Sequence, residues 1–315
     1  MKARVAVIGG GQNCEHEVSL ASAAAVAAAL AQTGYQVVRL TIGADGTWHH
    51  GGTHLPGLAD AVRILSGCDA VVPVVHGPHG EDGTLAALCD LAGIPCVGSG
   101  LRAGALAMDK QVTKLIATDC GIATAPAVLL TAATAASYRW TRPVVVKPVA
   151  AGSSRGVTLV GEPARLPGAL AAALALDDRI LAEDVITGRE IDLAVLGRPD
   201  GTRMVAPALE IVGGGIFGYQ DKYGGRADLR VPAPLRDADR AALETAAVTM
   251  FGALGCAGVA RIDFFLTAAG PLLNEVNTMP GFTEHSQLPR MFAAGGLPYP
   301  QLLDLLVSDA LPGRR

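Results

Sequence analysis

Aromatic residues are scarce in this 315-residue chain, with six Phe, five Tyr and two Trp, and lysine is scarce beside arginine, five against twenty. The net charge of −4 supplies no basic surface, which argues against a nucleic-acid partner. Six cysteines (Cys14, Cys68, Cys89, Cys96, Cys120, Cys256) form no C-x-x-C pair and no zinc spacing, so they predict reduced, mostly buried thiols. The longest apolar run, SLASAAAVAAALA, is too short and too Ala-rich to span a membrane. MKARVAVIGGG has the pattern of a strand and glycine turn, without the apolar centre and cleavage site of a signal peptide. These absences predict a soluble cytoplasmic protein. No G-x-x-x-x-G-K-[ST] loop occurs anywhere, so a nucleotide would have to be held by another kind of fold. The dinucleotide fingerprint G-x-G-x-x-G fails too, because Cys14 stands where its third glycine belongs. That makes an oxidoreductase the weakest reading.

What is present is an α/β chain of two or three domains. Residues 1–99 alternate apolar strands with helices (RVAVIGG, a helix over 14–32, YQVVRLTI, DAVVPVVHG, a helix over 84–92, IPCVG), which predicts a doubly wound parallel sheet. Glu15 in the first strand-to-helix turn would repel a phosphate but suits an ammonium group, or it simply complements the helix dipole. The loop HGPHGEDGT (76–84) lies at the carboxyl end of a strand, where such sheets bind ligands. In it His76 can donate to a carboxylate and Asp82 can cap the next helix. Residues 100–182 carry two short helices, the strands APAVLL and PVVVKPV, and the loop AAGSSRG, whose amides and hydroxyls suit phosphates.

Residues 183–315 hold a polar, glycine-bearing stretch over 217–231 of the length of an active-site lid. A helix over 236–254 follows, then two strand-like runs, VARIDFFL and LLNEVN. Centring their connecting loop on Ala269 sets Asp263 opposite Glu275 and Arg261 opposite Asn277, all on one face. Two carboxylates, one amide oxygen and a guanidinium on one face suit Mg²⁺ shared with phosphates. Lysine is retained in MDK, VVVKP and YQDKYGG, and Lys110, Lys147 and Lys222 there suggest a triphosphate contacted from several sides. Lys2 and Lys114 read as surface residues. Glu183 could accept from an adenine amino group or ribose hydroxyl, and Glu190 begins the next strand.

Together these motifs, in this order over nearly the whole chain, resemble the D-alanine–D-alanine ligases of bacterial cell-wall synthesis, members of the ATP-grasp superfamily. The stretches that carry the likeness are GGGQNCEHEVSL, HGPHGEDGT, GSGLRAGALAMDK, VVVKPVAAGSSRGV, YQDKY and GCAGVARIDFF…LNEVNTMPGFTEHS. The resemblance implies an ATP-grasp fold in three units: a Rossmann-like substrate domain (1–99), a central lid domain (100–182) and a catalytic domain (183–315) with its lid loop. It implies ATP held by Lys110, Lys147, Lys222, Glu183 and Glu190, with two Mg²⁺ ions, or Mn²⁺ in their place, on Asp263, Glu275 and Asn277. It assigns Glu15 to the ammonium of the first D-alanine and His76 to its carboxylate. Ser153 and Tyr223 would link Glu15 to the lid, Arg261 and the Gly281 amide would stabilise the oxyanion, and Ser286 would bind the second D-alanine. Relatives of this kind are commonly homodimers. TEHSQLP is also shared with relatives that use D-lactate or D-serine as acceptor, while Lys222-Tyr223 favours D-alanine.

Overall fold

The computed structural model describes residues 2–213 and 228–311. Lys222 and Tyr223 therefore lie outside the described residues, as does most of the expected lid. Three sheets organise the chain. In the first, β1 (Arg4–Gly10) runs parallel to β2 (Gln36–Ile42) and β5 (Ala70–Pro73), and helix α1 (His16–Gln32) packs on it. Six of the seven β1 residues are buried, as expected for a strand covered on both faces. The sheet is not wholly parallel. A short hairpin, β3 (Trp48–His50) and β4 (Thr53–His54), adds antiparallel strands beyond β2. Strands this brief, rich in Gly and His, leave little periodicity in the sequence. Helices α2 (Leu58–Leu65) and α3 (Thr84–Leu91) complete this unit.

Two helices, α4 (Leu101–Met108) and α5 (Lys110–Asp119), lead onward, joined at Asp109, whose side chain caps α5 by accepting from the Val112 N–H at 2.9 Å. After the short β6 (Ala123–Thr124) comes a four-stranded sheet. It contains β7 (Ala127–Thr131), β8 (Val144–Pro148), β9 (Thr158–Val160) and β10 (Arg179–Asp184), in the order β7-β10-β8-β9. Helices α6 (Ala132–Ala135) and α7 (Leu166–Leu174) flank it. Glu183 belongs to β10 and so to this sheet. The third sheet is built on β11 (Arg189–Gly197), with β12 (Arg203–Val205), β13 (Leu209–Val212), β14 (Asp228–Arg230), β15 (Gly258–Thr267) and β16 (Gly270–Asn277), and it recruits β6 at its edge. Strand β14 occupies part of the stretch expected to be lid, pairing antiparallel with β13. Helix α8 (Asp237–Leu254) covers the sheet and ends at Gly255, which takes the left-handed conformation of a helix C-cap. Helices α9 (Gln287–Ala294) and α10 (Tyr299–Ala310) close the chain.

The β15–β16 hairpin turns through Ala268-Ala269, between the paired Thr267 and Gly270. That tight turn alone would put Asp263 out of step with Glu275. A β-bulge between Asp263 and Phe264 inserts one residue, and beyond it Asp263 stands opposite Glu275 and Arg261 opposite Asn277. The expected pairing is reached through an irregularity that the sequence pattern does not announce. No helix among the described residues is long and apolar enough to cross a membrane.

Candidate active site

A cavity of about 480 Å³ is lined by residues of each unit. At one corner stands Glu15, in the turn between β1 and α1 and only 5% exposed. Asn13 anchors this turn, accepting from the Glu15 N–H (2.8 Å) and donating to the carbonyls of His76 (2.9 Å) and Pro78 (2.8 Å). The Glu15 carboxylate accepts a hydrogen bond from the Ser153 hydroxyl in the AAGSSRG loop. Two glycines press against it: a Cβ at Gly77 would stand 2.6 Å from Glu15 Oε2, and one at Gly152 would stand 2.2 Å from it. Only glycine lets both loops close on this carboxylate. Ser153 and Ser154 adopt left-handed backbone conformations (φ 49° and 56°), a strain that folds retain mainly at functional loops.

Beside Glu15 lies Glu81, a lining residue that reading the HGPHGEDGT loop did not single out. Its carboxylate accepts from the N–H groups of Gly77 (2.8 Å) and Met279 (3.4 Å). Burial first, then the charge of Glu15, pushes its carboxyl up to about 8. The sequence signal was there in weak form, an acidic residue set among glycines at a strand's carboxyl end.

His76 also lines the cavity, but it does not offer a proton to a carboxylate. Its Nδ1 lies 2.8 Å from the Met279 carbonyl oxygen and its Nε2 lies 2.8 Å from the Ser22 hydroxyl oxygen. Ser22 Oγ in turn accepts from the Phe282 N–H at 3.1 Å. This chain of partners is satisfied by a neutral ring that donates from Nδ1 and accepts at Nε2. Burial lowers its pKa to about 4, which keeps the ring neutral. The expected carboxylate donor is thus a strut tying α1 to the 279–282 segment. Asp82 is not the cap of α3, which is Gly83; it stands one residue earlier and accepts from the N–H groups of Thr84 (2.9 Å) and His79 (2.8 Å), bracing the loop.

The hairpin supplies a guanidinium together with two further carboxylates, Asp263 and Glu275. Arg261 grips Asp263 with two hydrogen bonds of 2.7 Å each, and Asp192 stands 3.5 Å from the same guanidinium. Asn277 Nδ2 donates to Asp263 at 3.1 Å, which leaves its amide oxygen for another partner. Arg261, Glu275 and Asn277 line the cavity, whereas Asp263 stands behind them with both oxygens engaged. Among the described residues no three His, Cys, Asp or Glu side chains are grouped to hold a metal. The oxygen donors here are two carboxylates and one amide, hard ligands without nitrogen or sulfur, and that set fits Mg²⁺ when phosphate oxygens complete it. Lys110 donates to the Ala151 carbonyl (2.9 Å) and stands 3.7 Å from Glu275, joining the AAGSSRG loop to the hairpin. Gly281 and Ser286 line the same cavity; Ser286 Oγ accepts from the Thr283 N–H at 3.1 Å.

Three expected nucleotide residues do not line this cavity: Lys147, Glu183 and Glu190. Glu190 lies in β11, paired with Ile211 and Phe265. Lys147 and Glu183 form a buried pair at 2.7 Å, and Lys114 joins them at 2.8 Å from Glu183. Lys114 is therefore not a surface residue. It is 8% exposed, because α5 lays it against the four-stranded sheet. Lys2 remains at the surface, paired with Asp304.

Three sheets, with a cleft lined by charged residues from all three units, fit an ATP-grasp fold, which similar solved structures share. Comparison with known proteins narrows the class. Residues 4–61 and 58–99 match the family described as D-ala D-ala ligase N-terminus, and residues 118–308 match D-ala D-ala ligase C-terminus. The D-alanine–D-alanine ligase of Mycolicibacterium vanbaalenii is 38% identical, over 98% of this chain and 97% of its own, and that of Mycobacterium bovis is 36% identical over 98% and 96%. Among solved structures, the VanG D-Ala:D-Ser ligase from Enterococcus faecalis superposes with a TM-score of 0.86 at 34% identity, covering 99% of this chain and 100% of its own. The D-alanine–D-alanine ligase from Bacillus anthracis complexed with ATP gives 0.80 at 27% identity, covering 98% and 97%. The chain belongs to the D-alanine–D-alanine ligase family.

Proposed function

We propose that this protein joins two D-alanine molecules at the expense of ATP, through a D-alanyl phosphate, for peptidoglycan precursor synthesis. The observation that carries the reading is the Glu15 corner. A carboxylate enclosed by Gly77, Gly152 and the Ser153 hydroxyl opens on the same cavity as Lys110, Arg261 and Ser286. Glu15 binds the ammonium of the first D-alanine, beside Glu81, whose carboxyl is pushed up to about 8 by burial and by the charge of Glu15.

A free carboxylate is a poor acyl donor, so it is first converted to an acyl phosphate. Lys110 and Lys147, with Lys222, neutralise the nucleotide's phosphates. Glu183 and Glu190 receive its base and ribose. Asp263, Glu275 and Asn277 would hold magnesium, whose chemistry is to offset charge on the transferring phosphoryl group. The amine of the second D-alanine, held at Ser286, then attacks the acyl carbon, and collapse of the adduct breaks the acyl C–O bond, expelling inorganic phosphate as the amine gives up its proton. Arg261 and the Gly281 N–H stabilise the oxyanion that forms. Tyr223 and the Ser153–Glu15 bond close the site, keeping water from the acyl phosphate. The three units of this scheme are 1–99, 100–182 and 183–315.

A D-serine acceptor is the competing reading, favoured by the likeness to the VanG ligase. One experiment tests both. Purified protein receives Mg-ATP and D-alanine, alone or with D-serine or D-lactate, and phosphate release and products are measured. D-alanyl-D-alanine as the main product is expected. Phosphate release with no dipeptide, or a mixed product formed in preference, would overturn the assignment.

A further inference from the structure

Within the buried trio Lys114–Glu183–Lys147, each carboxylate oxygen of Glu183 faces one ammonium: Oε1 faces Lys114 at 2.8 Å and Oε2 faces Lys147 at 2.7 Å. All three side chains are less than 10% exposed. One negative charge against two positive ones leaves the trio with an excess of one positive charge in a poorly solvated place. Such an excess favours an incoming anion. Lys114 follows Lys110 by four residues on α5, so both leave the same helix face, yet only Lys110 lines the main cavity. Lys147 also reaches Asn274 Oδ1 at 3.4 Å, so Glu183 is not its sole partner.

We infer that Lys114 is the standing counter-ion of Glu183, a positioning residue that lets Lys147 move to a nucleotide phosphate without stranding a buried carboxylate. The inference rests on the reading of this cleft as an ATP site. If Lys147 were the only partner of Glu183, transferring it to a phosphate would leave an unpaired buried charge, and nucleotide binding would bear that cost. With Lys114 in place, 2.8 Å away, Glu183 keeps an ion-pair partner throughout.

Titration calorimetry of the full chain with Mg-ATP tests this without relying on turnover. Lys114→Met should weaken ATP binding about tenfold, the scale of one lost charge-assisted hydrogen bond. Lys114→Arg should restore most of that affinity. Because Lys114 acts through Glu183, adding Lys114→Met to Glu183→Gln should change the Kd by less than about twofold beyond Glu183→Gln alone. Wild-type affinity in Lys114→Met, no recovery in Lys114→Arg, or a full tenfold loss persisting in the Glu183→Gln background would each overturn the proposal. Thermal unfolding midpoints guard against misfolding. If Lys114→Met alone does not fold, the Arg variant and the Glu183→Gln pair decide the matter. Wild-type protein that binds ATP but releases no phosphate with D-alanine would sink the functional reading and leave this one standing.

Discussion

Glu15 and Glu81 share one corner of the cleft, and electrostatics divides their roles. Glu15 accepts a hydrogen bond from the Ser153 hydroxyl, while the half-buried Glu81 carboxyl is pushed up to about 8. An acid whose folded pKa lies above its unfolded value of 4.5 stabilises the fold fully at low pH. That contribution is lost as pH rises from about 4.5 to about 8. Glu81→Gln keeps the volume and an acceptor oxygen but cannot ionise. Denaturant midpoints of the ligand-free variant at pH 5 and pH 8 should differ less than those of the wild type, by roughly 1–3 kcal/mol in stability. An equal pH dependence in both proteins would show that Glu81 carries no such charge. His76 teaches the complementary lesson. Its residue type and place in a glycine-rich loop were legible, but both ring nitrogens are taken by Met279 and Ser22, partners 203 and 54 residues away. A histidine's chemistry follows its neighbours, and no local pattern encodes them.

Among the elements, the AAGSSRG loop and the β15–β16 hairpin do most to shape the site. The loop touches Glu15 through Ser153 and is tied to Lys110 through the Ala151 carbonyl. A methyl group at position 152 meets Glu15 Oε2 at 2.2 Å. Gly152→Ala should therefore push the loop off Glu15 and raise KM for the first D-alanine by about tenfold, while the thermal midpoint moves by no more than a few degrees. Steady-state kinetics at saturating ATP checks this, and an unchanged KM would mean the loop closes without that contact. The hairpin shows how far element-level reading reaches. Alternation put Arg261, Asp263, Glu275 and Asn277 on one face, and the structure agrees on the facing pairs. The bulge beside Phe264 that produces this register, and the Arg261 grip that draws Asp263 behind the cavity wall, were not legible. Both depend on how the hairpin packs on β11.

Across the molecule, the hydrophobic cores are partitioned unevenly. One cluster combines Val5, Val7 and Leu30 from the first unit with Leu196, Phe282, Phe292 and Leu306 from the third, so the first and last units share an interior. The central sheet keeps its own small cluster, built from residues between Leu130 and Ala182. A unit with a smaller private core opens more easily than one that shares a large core. Native-state hydrogen exchange should show amides of β8 and β10 opening at least roughly 2 kcal/mol below those of β1 and β15. Equal opening energies would mean that the three units unfold as one.

By itself the sequence determined the kinds and order of the longer elements, because apolar runs and glycine turns are local signals of strand and helix, while the brief β3–β4 hairpin left no such signal. It also determined which polar residues could share a face of the late hairpin, since strand alternation has a period of two. Tertiary structure alone decided that Lys114 is buried against Glu183, that Glu81 stands beside Glu15, and that Ser153 reaches a carboxylate 138 residues away. Those outcomes rest on the meeting of distant surfaces, where burial and neighbouring charge, rather than residue type, set what a side chain does.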